Sequence, residues 1–205
     1  MYMHLLPFLE SQMTNNTTRV DAVWDANQDT SFKSQTRAKR GETEGRRARF
    51  SVKAHVQKGA EWQKYPKDSD NKDELFRLLS EQLVQNTINA SYHLLTTKAV
   101  LVLSNRPTGV TALSPCHQEE AYTRMMLHVR HAAEQDHTKA CLRTVHTDVV
   151  VLAIHHFHQP RLSELWIGFS QGRHSEKCQF ITSLNSWDLV AARHFSSSIH
   201  SQDVM

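Results

Sequence analysis

Three carboxylates, Asp25, Glu120 and Asp148, fall at the ends of predicted elements, the places from which an α/β scaffold presents side chains to a common ligand. Converging oxygen ligands suit hard divalent cations such as Mg²⁺. A pair of such cations about 4 Å apart hydrolyses a phosphodiester, one activating water and the other stabilising the leaving oxygen. Taken singly, each acid has a plainer reading, as a helix cap or a solvated carboxylate.

Histidine and cysteine offer a second inventory. Nine of the fourteen histidines lie between His117 and His174. His128 and His131 share a helical face, and His155 and His158 would do so if their helix continues. Without paired cysteines or an HExxH arrangement, zinc is a weaker reading than core or exposed histidines. Cys116, Cys141 and Cys178 are odd in number and lack CxxC spacing, which fits a reducing compartment better than a disulfide framework. There is no GxSxG elbow, P-loop or GxGxxG run, so acyl transfer and nucleotide-cofactor chemistry have no support.

The chain has 205 residues, 39% hydrophobic and 22% charged, enough for one ordinary core, so one domain is the default. A mean hydropathy of -0.54 argues against a dense core along the whole length. Net charge is only +3, yet Thr30 to Tyr65 holds ten Lys/Arg against three Asp/Glu, leaving fourteen against eighteen elsewhere. Such a basic run is either a phosphate-contacting surface or a solvated loop. The opening MYMHLLPFLESQM lacks a basic n-region and is broken by Pro7 and Glu10, unlike a signal peptide. No stretch approaches the roughly 20 apolar residues of a membrane span. The expectation is an intracellular protein, nuclear or cytoplasmic, in which the sequons at Asn15, Asn16 and Asn89 are chance matches.

The elements that would position the acids follow from periodicity. LLPFLESQ reads as a helix end and VDAVW as a short strand leading into Asp25. Residues 27–68 form a long polar and basic excursion. Asp70 can cap a helix carrying Leu75, Leu78, Leu79 and Leu83 at helical spacing. AVLVLS is a buried strand followed by the turn Arg106-Pro107-Thr108-Gly109. Gln118 to Glu134 is a helix with Ala121, Met125, Leu127 or His128, and Ala132 near one face. ACLRTV is a strand, DVVVLAIHHF a helix opened by Asp148, and SELWIGF a further strand. This alternation points to an open, mostly parallel sheet.

In these segments the chain resembles PIN-like and flap-endonuclease-like nucleases. VDAVWDANQDTSFKSQTRAKRG resembles the region where a strand ends in a metal-site Asp followed by phosphate-handling Lys and Arg. HQEEAYTRMMLH resembles the E-x-D/E helix start, and TVHTDVVVLAI the D-x-D strand end. Together they are most similar to uncharacterised, mobile-element-associated metazoan proteins with HEEADTR and TVDTDVVVLA motifs, over about Phe8 to Arg173.

The resemblance implies a three-layer fold, a mostly parallel central sheet with helices on both faces, incomplete at both ends. It spans residues 1–173, with the basic loop at about 27–68, and leaves 174–205 as a divergent, poorly ordered tail. It also implies Asp25, Glu120 and Asp148 as metal positions and Lys33, Arg37 and Arg40 as phosphate contacts. Two acids of the pattern are replaced, by Tyr122 and His146. An earlier Asp would precede Met1, and a later Gly-Cys-Asp segment is not found. So few carboxylates would hold Mg²⁺ or Mn²⁺ weakly. A neutral histidine filling a vacated acid position is the simpler account of His146, although it could ligate Mn²⁺ or Zn²⁺. The expectation is a degenerate, catalytically impaired nuclease-like domain with nucleic acid as its partner through the basic loop. The alternatives are a non-catalytic nucleic-acid-binding remnant and a truncated mobile-element-derived chain without selected activity.

Overall fold

The computed structural model describes residues 2–26, 69–88, 90–107, 109–156, 162–169 and 177–182. It is a mixed α/β structure in two compact units, Met1–His131 and Ala132–Met205. The phosphate-contact candidates Lys33, Arg37 and Arg40 lie outside the described residues.

The first unit contains α1 (Tyr2–Ser11), β1 (Arg19–Ala22), α2 (Ser69–Asn86), β2 (His93–Lys98), β3 (Leu101–Ser104) and most of α3 (Ala121–Glu134). β1 and β2 pair in parallel, Ala22 opposite Thr96, and β2 pairs antiparallel with β3, Lys98 opposite Leu101. β1, α2 and β2 therefore form a βαβ crossover with a short antiparallel strand added at the edge.

α2 forms where its periodicity places it, beginning at Ser69 with Asp70 in its first turn, where a negative charge complements the helix dipole. Its buried stripe, Asn71, Leu75, Leu79 and Leu83, runs at four-residue intervals. Leu83 packs with Ala22, Tyr92 and Leu94, and α1 adds Leu5, Leu6 and Leu9 to this cluster. Leu95, on the other face of β2, packs with Val102, Leu113 and Leu127 of α3. Helices thus lie against both faces of the first sheet. Together Leu83, Leu94 and Leu95 are fully buried, each contributing about 1.5–3 kcal/mol of burial free energy.

The second unit repeats the plan with β4 (Lys139–Thr144), α4 (Thr147–His156), β5 (Glu164–Phe169) and β6 (Lys177–Thr182). β4 and β5 are parallel, and β5 and β6 antiparallel. Leu142, Val149, Val150, Ala153, Leu165 and Ile167 are buried there. β6 falls within the segment expected to be a poorly ordered tail, and it pairs with β5 over six residues.

Each sheet is thus partly parallel, with one parallel and one antiparallel pairing among the described residues. No helix among them is long and apolar enough to cross a membrane.

Candidate functional site

The carboxyl edge of the parallel β1/β2 pair is where an α/β scaffold presents functional groups, and Asp25 lies there, three residues beyond β1. Each of its carboxylate oxygens accepts a hydrogen bond from another element, and the side chain is about one-third exposed. Oδ1 accepts the backbone N–H of Ala121, the first residue of α3, at 2.8 Å. Oδ2 accepts from Lys72 Nζ in the first turn of α2 at 2.9 Å. Asp25 therefore caps α3 from a distant part of the chain, satisfying an N–H that the helix itself leaves unpaired. The adjoining backbone closes the same seam, with Ala26 N donating to the Glu119 carbonyl at 2.8 Å.

Glu120 precedes α3, and its carbonyl accepts from Arg124 N at 3.2 Å and Thr123 Oγ1 at 2.9 Å. Asp25 and Glu120 are thus brought to the same helix start. Asp148 belongs to the second unit, in the first turn of α4, and is exposed. Tyr122 is half-buried in α3, and His146 is exposed beside β4, its N–H donating to Thr144 Oγ1 at 3.0 Å. Within the described part of either unit, no group of three or more His, Cys, Asp or Glu side chains is gathered for a metal ion.

The Asp25 edge is aromatic and cationic as well as acidic. Trp24 stacks on Phe76 with ring centroids 4.8 Å apart, and Lys72 Nζ stands 5.4 Å from the Phe76 centroid. Trp24, Asp25, Phe76, Asp73, Arg77 and Thr97 line a small cleft of about 30 Å³, room for no more than a water or two.

Behind it lies a polar scaffold that hydrophobic periodicity does not reveal. Arg124 is fully buried. Its Nη1 donates to the Trp24 carbonyl at 3.1 Å and its Nη2 to the Ala99 carbonyl, while Nε has no partner. Trp24 N and Nε1 donate to Thr97 Oγ1 and Thr96 Oγ1 at 2.8 and 3.1 Å. Ser80 Oγ donates to the Thr97 carbonyl at 2.8 Å. Glu119, read from the sequence as solvent-facing beside Glu120, is half-buried, and its Oε1 is enclosed without a hydrogen-bond partner.

A second charged cluster holds α3 on the other side of β1. Arg19 and Asp21 pair through two contacts of 2.8 Å. His128 Nδ1 is 2.6 Å from Asp21 Oδ1, and Arg19 Nη1 is 3.1 Å from His131 Nδ1. A guanidinium only donates, so His131 Nδ1 is the acceptor. Burial raises the Asp21 pKa, but the His128 and Arg19 hydrogen bonds and charges outweigh it and hold the carboxyl below its ordinary range. His93 Nε2 lies 2.7 Å from Ser104 Oγ. Burial, then the positive charges of Arg19 and Arg106, lower the His93 pKa, with Asp21 opposing. His128 and His131, weighed in the sequence as zinc ligands or core histidines, are buried partners of this cluster.

No family model, curated protein or solved structure matches the chain.

Proposed function

We propose that this chain is a nuclease-like α/β domain of the PIN-like, three-layer type whose acidic site no longer performs metal-dependent hydrolysis, and that it binds nucleic acid through the basic 30–65 segment. The observation that carries this reading is the use of Asp25, whose two carboxylate oxygens serve an α3 N–H and the Lys72 ammonium. Neighbouring replacements support it, since Tyr122 and His146 stand where the resembling motifs have acids. A two-cation mechanism requires several converging carboxylates. The two βαβ crossovers, and helices on both faces of the first sheet, support the fold assignment.

Nucleic acid is the partner best suited to ten basic residues against three acids between Thr30 and Tyr65, because polyanion binding releases condensed counterions. The full chain should bind single-stranded or branched DNA or RNA with an affinity that falls steeply with salt. Neutralising Arg46, Arg47 and Arg49 should flatten the slope of log K against log salt by about 3 if all three contact phosphate. Incubation with Mg²⁺ or Mn²⁺ should leave the nucleic acid uncut. Cleavage lost on Asp148→Asn would refute the catalytic part, and salt-indifferent affinity the binding part.

A further inference from the structure

The metal implied by the nuclease resemblance does not fit the donors at Asp25, and the misfit identifies what stands in its place. We propose that Lys72 is the resident cation of this site, its ammonium neutralising Asp25 where a divalent ion would otherwise sit. The inference rests on reading the β1 carboxyl edge as a former metal site.

A lysine in the first turn of a helix is unfavourable, because the helix dipole places positive potential there. Lys72 occupies that turn of α2 and is held by Asp25 Oδ2 at 2.9 Å and the Phe76 ring at 5.4 Å. Phe76 is fixed in turn by stacking on Trp24, the residue before Asp25. The ammonium is therefore positioned from two directions, by an anion and by a π face. A divalent ion at Asp25 would have to displace the ammonium or bear its repulsion, and it would compete with the Ala121 N–H for the other oxygen. A tethered cation has a further consequence: the charge is always present, so the junction of β1, α2 and α3 assembles without any metal.

The test is a thermal melt and a Mn²⁺ titration followed by electron paramagnetic resonance, on the full chain and on Lys72→Met, Lys72→Arg and Asp25→Asn. Wild type and Lys72→Arg should show no Mn²⁺ binding that depends on Asp25 and no Mn²⁺ shift of the melt. Lys72→Met keeps the aliphatic stem, should melt lower, and should be raised again by millimolar Mn²⁺, binding it at least about tenfold more tightly than wild type once the like charge is gone. Should Lys72→Met fail to fold alone, refolding in Mn²⁺ should recover it. Wild-type Mn²⁺ binding abolished by Asp25→Asn would overturn the proposal. So would a Lys72→Met chain that gains no Mn²⁺ binding, or one that Mn²⁺ does not rescue. These outcomes are separate from the nuclease-like reading, which fails on cleavage by the wild type or on salt-indifferent nucleic-acid binding.

Discussion

Arg124 donates from Nη1 to the carbonyl oxygen of Trp24 at 3.1 Å, so a guanidinium with no solvent exposure reaches from α3 to the chain leaving β1. The other arm reaches Ala99 in the β2–β3 turn. One side chain therefore joins both strand ends that border Asp25. Arg124→Met would remove a donor from each of two carbonyls, of which that of Trp24 keeps Thr97 Oγ1 at 3.5 Å and that of Ala99 belongs to an exposed turn residue, and should lower stability by about 2 kcal/mol. Arg124→Lys should recover only part of it, since a single ammonium lacks the planar fork. Urea unfolding curves of both variants measure this, and a loss below about 1 kcal/mol for Arg124→Met would count against the pinning role.

Why the sequence conceals this residue is a matter of pattern. α2 was legible because its buried stripe is mainly leucine at helical spacing. In α3 the buried positions Arg124, His128 and His131 are polar and only Ala132 and Ala133 are apolar, so hydrophobic periodicity, which selects Ala121, Met125, Leu127 or His128, and Ala132, finds part of the buried face and leaves out Arg124 and His131. β2 is hidden by the same polarity. Its centre is Leu-Leu-Thr-Thr, buried throughout, and the threonines are admissible inside only because Trp24 and Ser80 bond them. Asp25, Glu120 and Asp148 lie at or beside element ends, but the partners of Asp25 come from residues 47 and 96 positions away, a relationship no local spacing encodes.

Asp25 should behave as a cap. Asp25→Ala removes the acceptor of the Ala121 N–H and the partner of Lys72, and loss of an N-cap costs about 1 kcal/mol. The ion pair, about one-third exposed on both sides, adds only a few tenths. Asp25→Asn keeps an acceptor oxygen and should retain most of the stability. Chemical denaturation of the pair distinguishes the roles: a cap gives Asn close to wild type and Ala clearly below it, whereas equal losses would assign the effect to the charge.

The Ala99 backbone has φ 51°, a conformation that costs an L-residue roughly 1–2 kcal/mol and is natural to glycine in a two-residue hairpin turn. Ala99→Gly should change stability by no more than about 0.5 kcal/mol, because relief of strain is offset by the greater freedom of glycine in the unfolded chain. Ala99→Val places a β-branched side chain at the same positive φ and should lose about 2 kcal/mol. Thermal melts that rank valine at or above glycine would refute the turn geometry.

The Arg19, Asp21, His93, His128 and His131 cluster makes a pH prediction whose sign is fixed by two lowered pKa values. His93 is depressed from 6.5, so the unfolded chain binds more protons than the folded one just below that pH, and stability falls as pH falls through 6.5. Asp21 is depressed from 3.8. Its contribution is complete above 3.8 and is lost as pH drops through the lower folded value. The positive charges of Arg19 and Arg106 face His93, and the Asp21 carboxylate opposes them. Unfolding free energy should therefore decline in two stages on acidification. His93→Gln should remove the first stage while keeping a side chain that can hydrogen-bond Ser104 Oγ, now 2.7 Å from Nε2. Asp21→Asn leaves Arg19, whose side chain is 5% exposed, without its carboxylate, and an uncompensated buried charge costs about 3 kcal/mol. The Asp21→Asn loss should be large at neutral pH and shrink toward acid, where the wild-type carboxylate is itself protonated. A deficit that stays constant from neutral pH to below 3.8 would mean that Asp21 is held by packing rather than by charge.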